Sequence, residues 1–360
     1  MKLLLLLTAC CSLLAACCMA ADDYLVGVYY FAGWWRETPN KYIIADHDWR
    51  ADYPGRIPIL GHYNEQKTMD REIIAASSSG VDFFQILWYP NGGPLNQGLR
   101  TFMASPNASK MKFTIEYVNH PPFDLPTDEA WEAACREWCA AMKHPSYLRV
   151  GGRPVFKVHG AHFFLQQTGD DPKKAEARLD AFRRIAKENG LPKPLISGGV
   201  GAAAETGPVA APYDFLTTYM VVPPLPQRDE PYPYETLLKL AEDGWISQAQ
   251  KGEKPYVPYV PSGWDPRPWK DPRPSFEMPN RGQWKDALTR AKSALDKYPS
   301  LGIPIKGGPA TGSRERRDRQ KAILIYAWNE FGEGGIVAPT RGEGTMKLDV
   351  IREVFMISDK

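Results

Sequence analysis

From residue 24 onward the chain alternates short, nearly uncharged apolar runs with longer stretches in which apolar residues recur every three or four positions. The short runs are apolar on both sides of the backbone, as in parallel strands covered on two faces. The longer stretches carry the single apolar stripe of a helix packed on a sheet. Strands are predicted at 24–31, 81–89, 111–119, 154–159, 194–200, 214–220, 256–260 and 322–328. Helices are predicted near 69–79 and after Thr127, where Trp131, Ala134, Trp138 and Met142 share a face. Another begins at Asp171, an N-cap residue followed by Pro172, and ends at Gly190. A further one follows Trp284, Ala287, Leu288, Ala291, Leu295 and Tyr298, whereas the segment between the fifth and sixth strands is poor in helix signals. Eight strands joined by crossovers predict an α/β protein, a (β/α)8 TIM barrel. No break in composition, short repeat or low-complexity tract divides residues 21–360, so one domain is expected.

Residues 1–20 stand apart from that pattern: Lys2 precedes a Leu-rich core, and small residues lead to Asp22 and Asp23, as in a secretory signal peptide. The apolar core is short for a membrane span, and no other segment reads as one. Cleavage before Ala21 would release a secreted or periplasmic protein, the preferred reading. Leu14-Ala15-Ala16-Cys17 also resembles a lipobox, which would leave a lipid on Cys17 and an outer-membrane lipoprotein. The net charge of +2 gives no electrostatic reason to expect nucleic acid or membrane lipid as a partner. Arg314, Arg316, Arg317 and Arg319 make the 306–321 stretch locally basic, as in a solvated loop. Four of the six cysteines fall within residues 1–20, and the helical offsets of Cys135 and Cys139 favour buried free thiols. The six histidines show no zinc spacing and no dense carboxylate cluster suggests calcium, so neither metal nor cofactor is expected.

A barrel concentrates its chemistry at the C-terminal ends of its strands. Those positions are rich here. Tyr29, Tyr30, Trp34 and Trp35 follow the first strand, Trp88, Tyr89 and Asn91 the second, and Asn119 and His120 the third. His159 ends the fourth, Tyr219 the sixth, and Trp264 and Asp265 follow the seventh. Rings alternating with amide, imidazole and carboxylate groups suit a hydroxyl-rich ligand with apolar faces. Core packing is the competing explanation for Tyr29 and Trp88, and a buried hydrogen-bonded imidazole for His159. The proline-rich stretches 222–234 and 255–279 are long enough to wall a site. Beyond the eighth strand come Trp328, Asn329, Glu330 and Glu333 among Gly332, Gly334 and Gly335. A spacing of three places the two glutamates on opposite faces of a continuing strand, so they share a site only if the backbone turns between them. The glycines permit that turn. Two converging carboxylates beside Trp328 and Phe331 are equipment for acid and base work on a sugar.

These motifs resemble the glycoside hydrolase family 99-like group, which includes the endo-α-mannosidases and WbsX-type proteins. The likeness covers most of the mature chain and is most specific at WNEFGEG (328–334) and YVPYVPSGWDPRP (256–268). Residues 61–90 and GRPVFKVHG (152–160) look like the family's second- and fourth-strand units. The resemblance implies a poly- or oligosaccharide substrate and retaining hydrolysis of an α-mannoside-like bond, in which the sugar's own 2-hydroxyl attacks the anomeric carbon. It makes Glu330 the base for that hydroxyl and Glu333 the acid that protonates the leaving oxygen and then activates water. Tyr219 becomes a neighbour of the acid, and Trp264 and Asp265 parts of the sugar site. The chain departs from the family's pattern at Phe31 to Trp34, at His120 and at Ala338, where relatives more often carry other groups. A noncatalytic carbohydrate-binding barrel is the alternative function, and it would be indifferent to either glutamate. A glycosyltransferase fits less well, because a signal peptide removes the chain from cytoplasmic nucleotide sugars and no Gly-rich phosphate loop stands out.

Overall fold

The computed structural model describes residues 24–34, 40–305 and 318–356. The expected signal segment with Cys17, and also Trp35, Arg314, Arg316 and Arg317, lie outside the described residues. The strands that form the barrel are β1 Leu25–Tyr30, β2 Phe83–Trp88, β3 Lys112–Tyr117, β4 Arg153–Val158, β5 Leu195–Gly199, β6 Phe215–Thr217, the divided β7 Tyr256–Val257 and Tyr259–Pro261, and β8 Ala322–Tyr326. All pair in parallel: β1 lies between β8, with Leu25 opposite Ala322, and β2, with Gly27 opposite Phe83. The ladder continues through β3, β4, β5 and β6 in chain order.

The seventh strand departs from the expected uninterrupted run. Pro258 has no N–H to give a neighbour and divides the strand into two short segments. The first pairs with β6, Tyr256 opposite Leu216, and the second with β8, Tyr259 opposite Leu324. The Pro258 carbonyl still accepts from the Leu324 N–H at 2.9 Å. The barrel therefore closes through nine paired segments at eight strand positions.

Helices α1 Gln66–Ser77, α2 Gln97–Ala104, α3 Asp128–Met142, α4 Ala161–Gln167, α5 Pro172–Glu188, α6 Gly207–Ala210, α7 Tyr234–Lys251, α8 Arg281–Lys297 and α9 Met346–Phe355 supply the crossovers and the closing element. The crossover poor in helix signals holds only the single turn of α6. Where caps are legible they form: the Asp171 carboxylate accepts from the N–H groups of Lys173 and Lys174, and Gly190 takes φ +75° past the end of α5. Asn280 and Gln283 make a reciprocal capping box at the start of α8. Cys135 and Cys139 are buried free thiols on the inner face of α3. Beside them Trp138 packs on Phe156 of β4, with ring centroids 4.6 Å apart, and Phe156 on Phe182 of α5 at 4.9 Å. Each such ring removes a large apolar area from water, and together they seat α3 and α5 on the barrel wall. No helix among the described residues is long and apolar enough to cross a membrane.

Candidate active site

Past the end of β8 the chain folds into a hairpin in which Asn329–Glu330 pairs antiparallel with Gly335–Ile336. The N–H groups of Glu333 and Gly334 both point to the Glu330 carbonyl, at 3.1 and 2.8 Å. This is the required turn, and it swings both carboxyl groups into one cleft. Gly334 lies at φ +84°, where an L side chain is strained. Gly332 serves close approach instead, since a Cβ there would fall 2.2 Å from the Trp269 ring.

The cleft is a cavity of about 890 Å³. Glu330 and Glu333 share it with Phe31, Lys41, Tyr89, His120, Phe123, His159, Tyr219, Trp264, Trp269 and Arg273. Tyr219 donates to Glu330 Oε1 at 2.6 Å, and the Tyr326 hydroxyl bonds the Glu333 carboxyl. Arg273 Nη2 stands 3.6 Å from Glu333 Oε1 while its guanidinium lies 4.4 Å over the Trp264 ring. Burial, and then the charge of Glu333, push Glu330 up to about 8 against the opposing Tyr219 hydrogen bond and Lys41 charge. Burial also raises Glu333, opposed by Tyr326 and Arg273. Tyr219 and Tyr326 are raised well above the ordinary tyrosine range, chiefly by burial, so both remain hydroxyl donors near neutrality. Near pH 7 the carboxyl pair thus holds a proton that belongs to the pair and not to either residue alone.

Of the residues expected at the site from sequence, Glu330, Glu333, Tyr89, His120, His159, Tyr219 and Trp264 line the cleft. The others are not part of its lining and stand behind it. Tyr30 donates to Glu72 at 2.8 Å, and Trp328 donates to the other oxygen of Glu72 at 2.8 Å. Trp328 is therefore a core ring below the hairpin and not a wall of the site. Trp34 donates to the Asn329 carbonyl at 2.7 Å and packs on Phe331. The Asn329 amide closes a loop with both backbone groups of Phe31, and that of Asn119 does the same with Gly160. Trp88 donates to Glu137 at 2.9 Å. Asp265 is buried between Arg56 and Arg267, and its N–H donates to the Glu333 carbonyl at 2.6 Å, so it braces the turn carrying the glutamates. Tyr219 bonds Glu330 and not Glu333, the neighbour that the family resemblance implies, and Glu333 has Tyr326 instead.

Sequence reasoning missed Lys41, Trp269, Arg273, Tyr326 and the buried Glu116 and Lys157. Trp269 and Arg273 lie in the proline-rich stretch expected to wall the site. Glu116 and Lys157 left a sharper signal: each is the one charged residue inside an apolar strand core, and the two are opposite in register.

No protein-family model matches the chain, and no curated protein does. Among solved structures, the GH99 endo-alpha-mannosidase from Bacteroides thetaiotaomicron matches with TM-score 0.58 and 14% identity, over 93% of this chain and 96% of that one. Its complex with bis-tris-propane gives the same score and identity over 95% of that chain. A GH5_18 structure from Streptomyces cattleya with GlcNAc reaches TM-score 0.48 at 12% identity, over 92% of this chain and 79% of that one. In architecture, then, the chain is a TIM barrel of the kind found in glycoside hydrolases. More narrowly, its fold is GH99-like over nearly its whole length.

Proposed function

We propose that this chain is an exported glycoside hydrolase that cleaves an α-mannoside-like bond in a poly- or oligosaccharide with retention of configuration. The observation that carries the reading is the pair Glu330 and Glu333, two buried carboxyls raised in pKa and facing one aromatic-walled cavity at the C-terminal mouth of a barrel. In the proposed first step Glu330 takes the proton of the sugar's 2-hydroxyl, whose oxygen bonds to the anomeric carbon as the glycosidic C–O bond breaks. Glu333 gives its proton to the departing oxygen. In the second step Glu333 takes a proton from water, the water oxygen bonds to the anomeric carbon, and the 2-oxygen leaves it and recovers its proton from Glu330. Two inversions leave the original configuration, and each glutamate ends as it began. Tyr219 and Tyr326 hold the two carboxyls in place, and Trp269 offers a ring to an apolar face of the sugar.

The anomer of the first-formed product tests this reading. Proton NMR of early hydrolysate from an α-mannan is expected to show the α-hemiacetal before mutarotation. A β-product would mean direct attack by water and would contradict the two-step scheme.

A further inference from the structure

Behind the cleft wall, β3 and β4 bring Glu116 and Lys157 together with both side chains fully buried and Lys157 Nζ 2.9 Å from Glu116 Oε1. The same oxygen accepts from His159 Nδ1 at 2.7 Å, and Lys157 also donates to the Tyr29 hydroxyl at 2.8 Å. Buried charges are expensive, and an apolar core of the same volume would serve stability as well. The acid and base pair makes no direct use of them.

The trio dictates the chemistry of the one member that reaches the cleft. Burial opposes the Glu116 charge, but the Lys157 ammonium and the His159 hydrogen bond outweigh it and hold the carboxyl below its usual range. An ionised carboxylate only accepts, so His159 Nδ1 carries the proton. Burial lowers His159 in turn, against the pull of Glu116, which keeps the ring neutral near pH 7. Nε2 is then a bare acceptor. The side chain is 18% exposed, lines the cavity, and has no other hydrogen-bond partner among the described residues. Its plane is set by Tyr219, with ring centroids 4.9 Å apart, and by His120 at 5.8 Å. Tyr219 is the residue that donates to Glu330, so the acceptor adjoins the reacting end of the cleft.

We infer that His159 Nε2 reads one unsubstituted sugar hydroxyl by accepting its hydrogen, and that Glu116 and Lys157 are positioning residues that hold the ring in the accepting tautomer. The inference rests on the carbohydrate reading of this cleft. It commits the site to a sugar that presents a donor there. A deoxy, fluoro or sulfated position would leave the acceptor unmatched.

Two measurements test it. Long-range proton–nitrogen correlation spectra of histidine-labelled wild-type protein, assigned with His159→Gln, are expected to show Nδ1 protonated and Nε2 bare. A protonated Nε2 overturns the inference, and this readout needs no turnover. Binding of a manno-oligosaccharide and its monodeoxy and deoxyfluoro analogues is then measured on Glu333→Gln, with and without His159→Ala. One position is expected to lose about tenfold or more in affinity on deoxygenation and equally on fluorination, and His159→Ala is expected to erase that difference. Equal binding of all analogues, or full retention by the fluoro sugar, overturns it. A His159-dependent difference in a protein that releases no sugar would keep this inference and remove the hydrolase reading. Turnover with no such difference would do the reverse, and failure to bind any glycan would overturn both.

Discussion

In the proposed mechanism Glu330 and Glu333 divide their labour through a single proton. Burial favours protonation of both, and Arg273 leans on Glu333 in the direction of keeping its charge. The proposed mechanism asks for the proton on Glu333 once sugar is bound, with the 2-hydroxyl engaging Glu330. A nitrophenyl α-mannoside separates these states, because its leaving group departs without a proton. On natural glycans each Gln variant is expected to lose about 10²- to 10⁴-fold in kcat/KM. On the nitrophenyl substrate Glu333→Gln is expected to recover most of its first-step rate and Glu330→Gln is not. The opposite pattern would exchange the two roles.

The same burial has a thermodynamic consequence. Glu330 is raised to about 8 and Glu72, buried under the hydrogen bonds of Tyr63, Trp328 and Tyr30, to about 7. A carboxyl whose folded pKa lies above its unfolded one stabilises the fold fully below the unfolded value and loses that contribution as pH rises through the folded value. Stability is therefore expected to fall between about pH 4.5 and pH 8. Glu330→Gln is expected to flatten that fall by roughly a few kcal/mol, raising the melting temperature at pH 8 but not at pH 4.5. A wild-type stability that climbs across this window would contradict the burial of these groups as ionisable acids.

At the scale of elements, the hairpin after β8 is where sequence and structure meet most closely. A spacing of three demanded a turn between the glutamates, and the Glu333 N–H closes it on the Glu330 carbonyl at 3.1 Å, with Gly334 at φ +84° just beyond. What lay beyond sequence was the contact that Gly332 permits, since Trp269 arrives from a loop some sixty residues earlier in the chain. Gly332→Ala is expected to drive a Cβ into that ring, displacing a wall of the cleft at a cost of about 1–3 kcal/mol. Steady-state kinetics should show kcat/KM falling about tenfold or more for the glycan. An unchanged kcat/KM would remove Trp269 from substrate contact. The divided β7 was hidden for a related reason. YVPYVP reads as one apolar strand, and only the closure of the barrel forces each half onto a different neighbour.

For the whole molecule, the barrel was legible because two-faced burial makes its strands nearly continuous apolar runs and its helices striped ones. All eight strand positions lie where the hydrophobic pattern predicts. The site was legible only as a rim. Position past a strand end selects candidates for the mouth but does not say which way each side chain turns. Trp328 and Glu330, two residues apart, part company: one anchors on Glu72 in the core and the other faces the cleft. Groups that converge from loops, such as Lys41 and Arg273, leave no periodic trace at all. In the proposed function a GH99-like barrel presents Glu330 and Glu333 to a glycan and breaks it. The most direct measurement is reducing-sugar release by the purified chain from mannans, α-mannosyl oligosaccharides and other bacterial and algal glycans, beside Glu333→Gln. Release from an α-mannoside-containing glycan that the variant abolishes, with glycan binding retained, is the expected result. Binding without release in the wild type, unchanged in the variant, would contradict the account and leave a carbohydrate-binding barrel in its place.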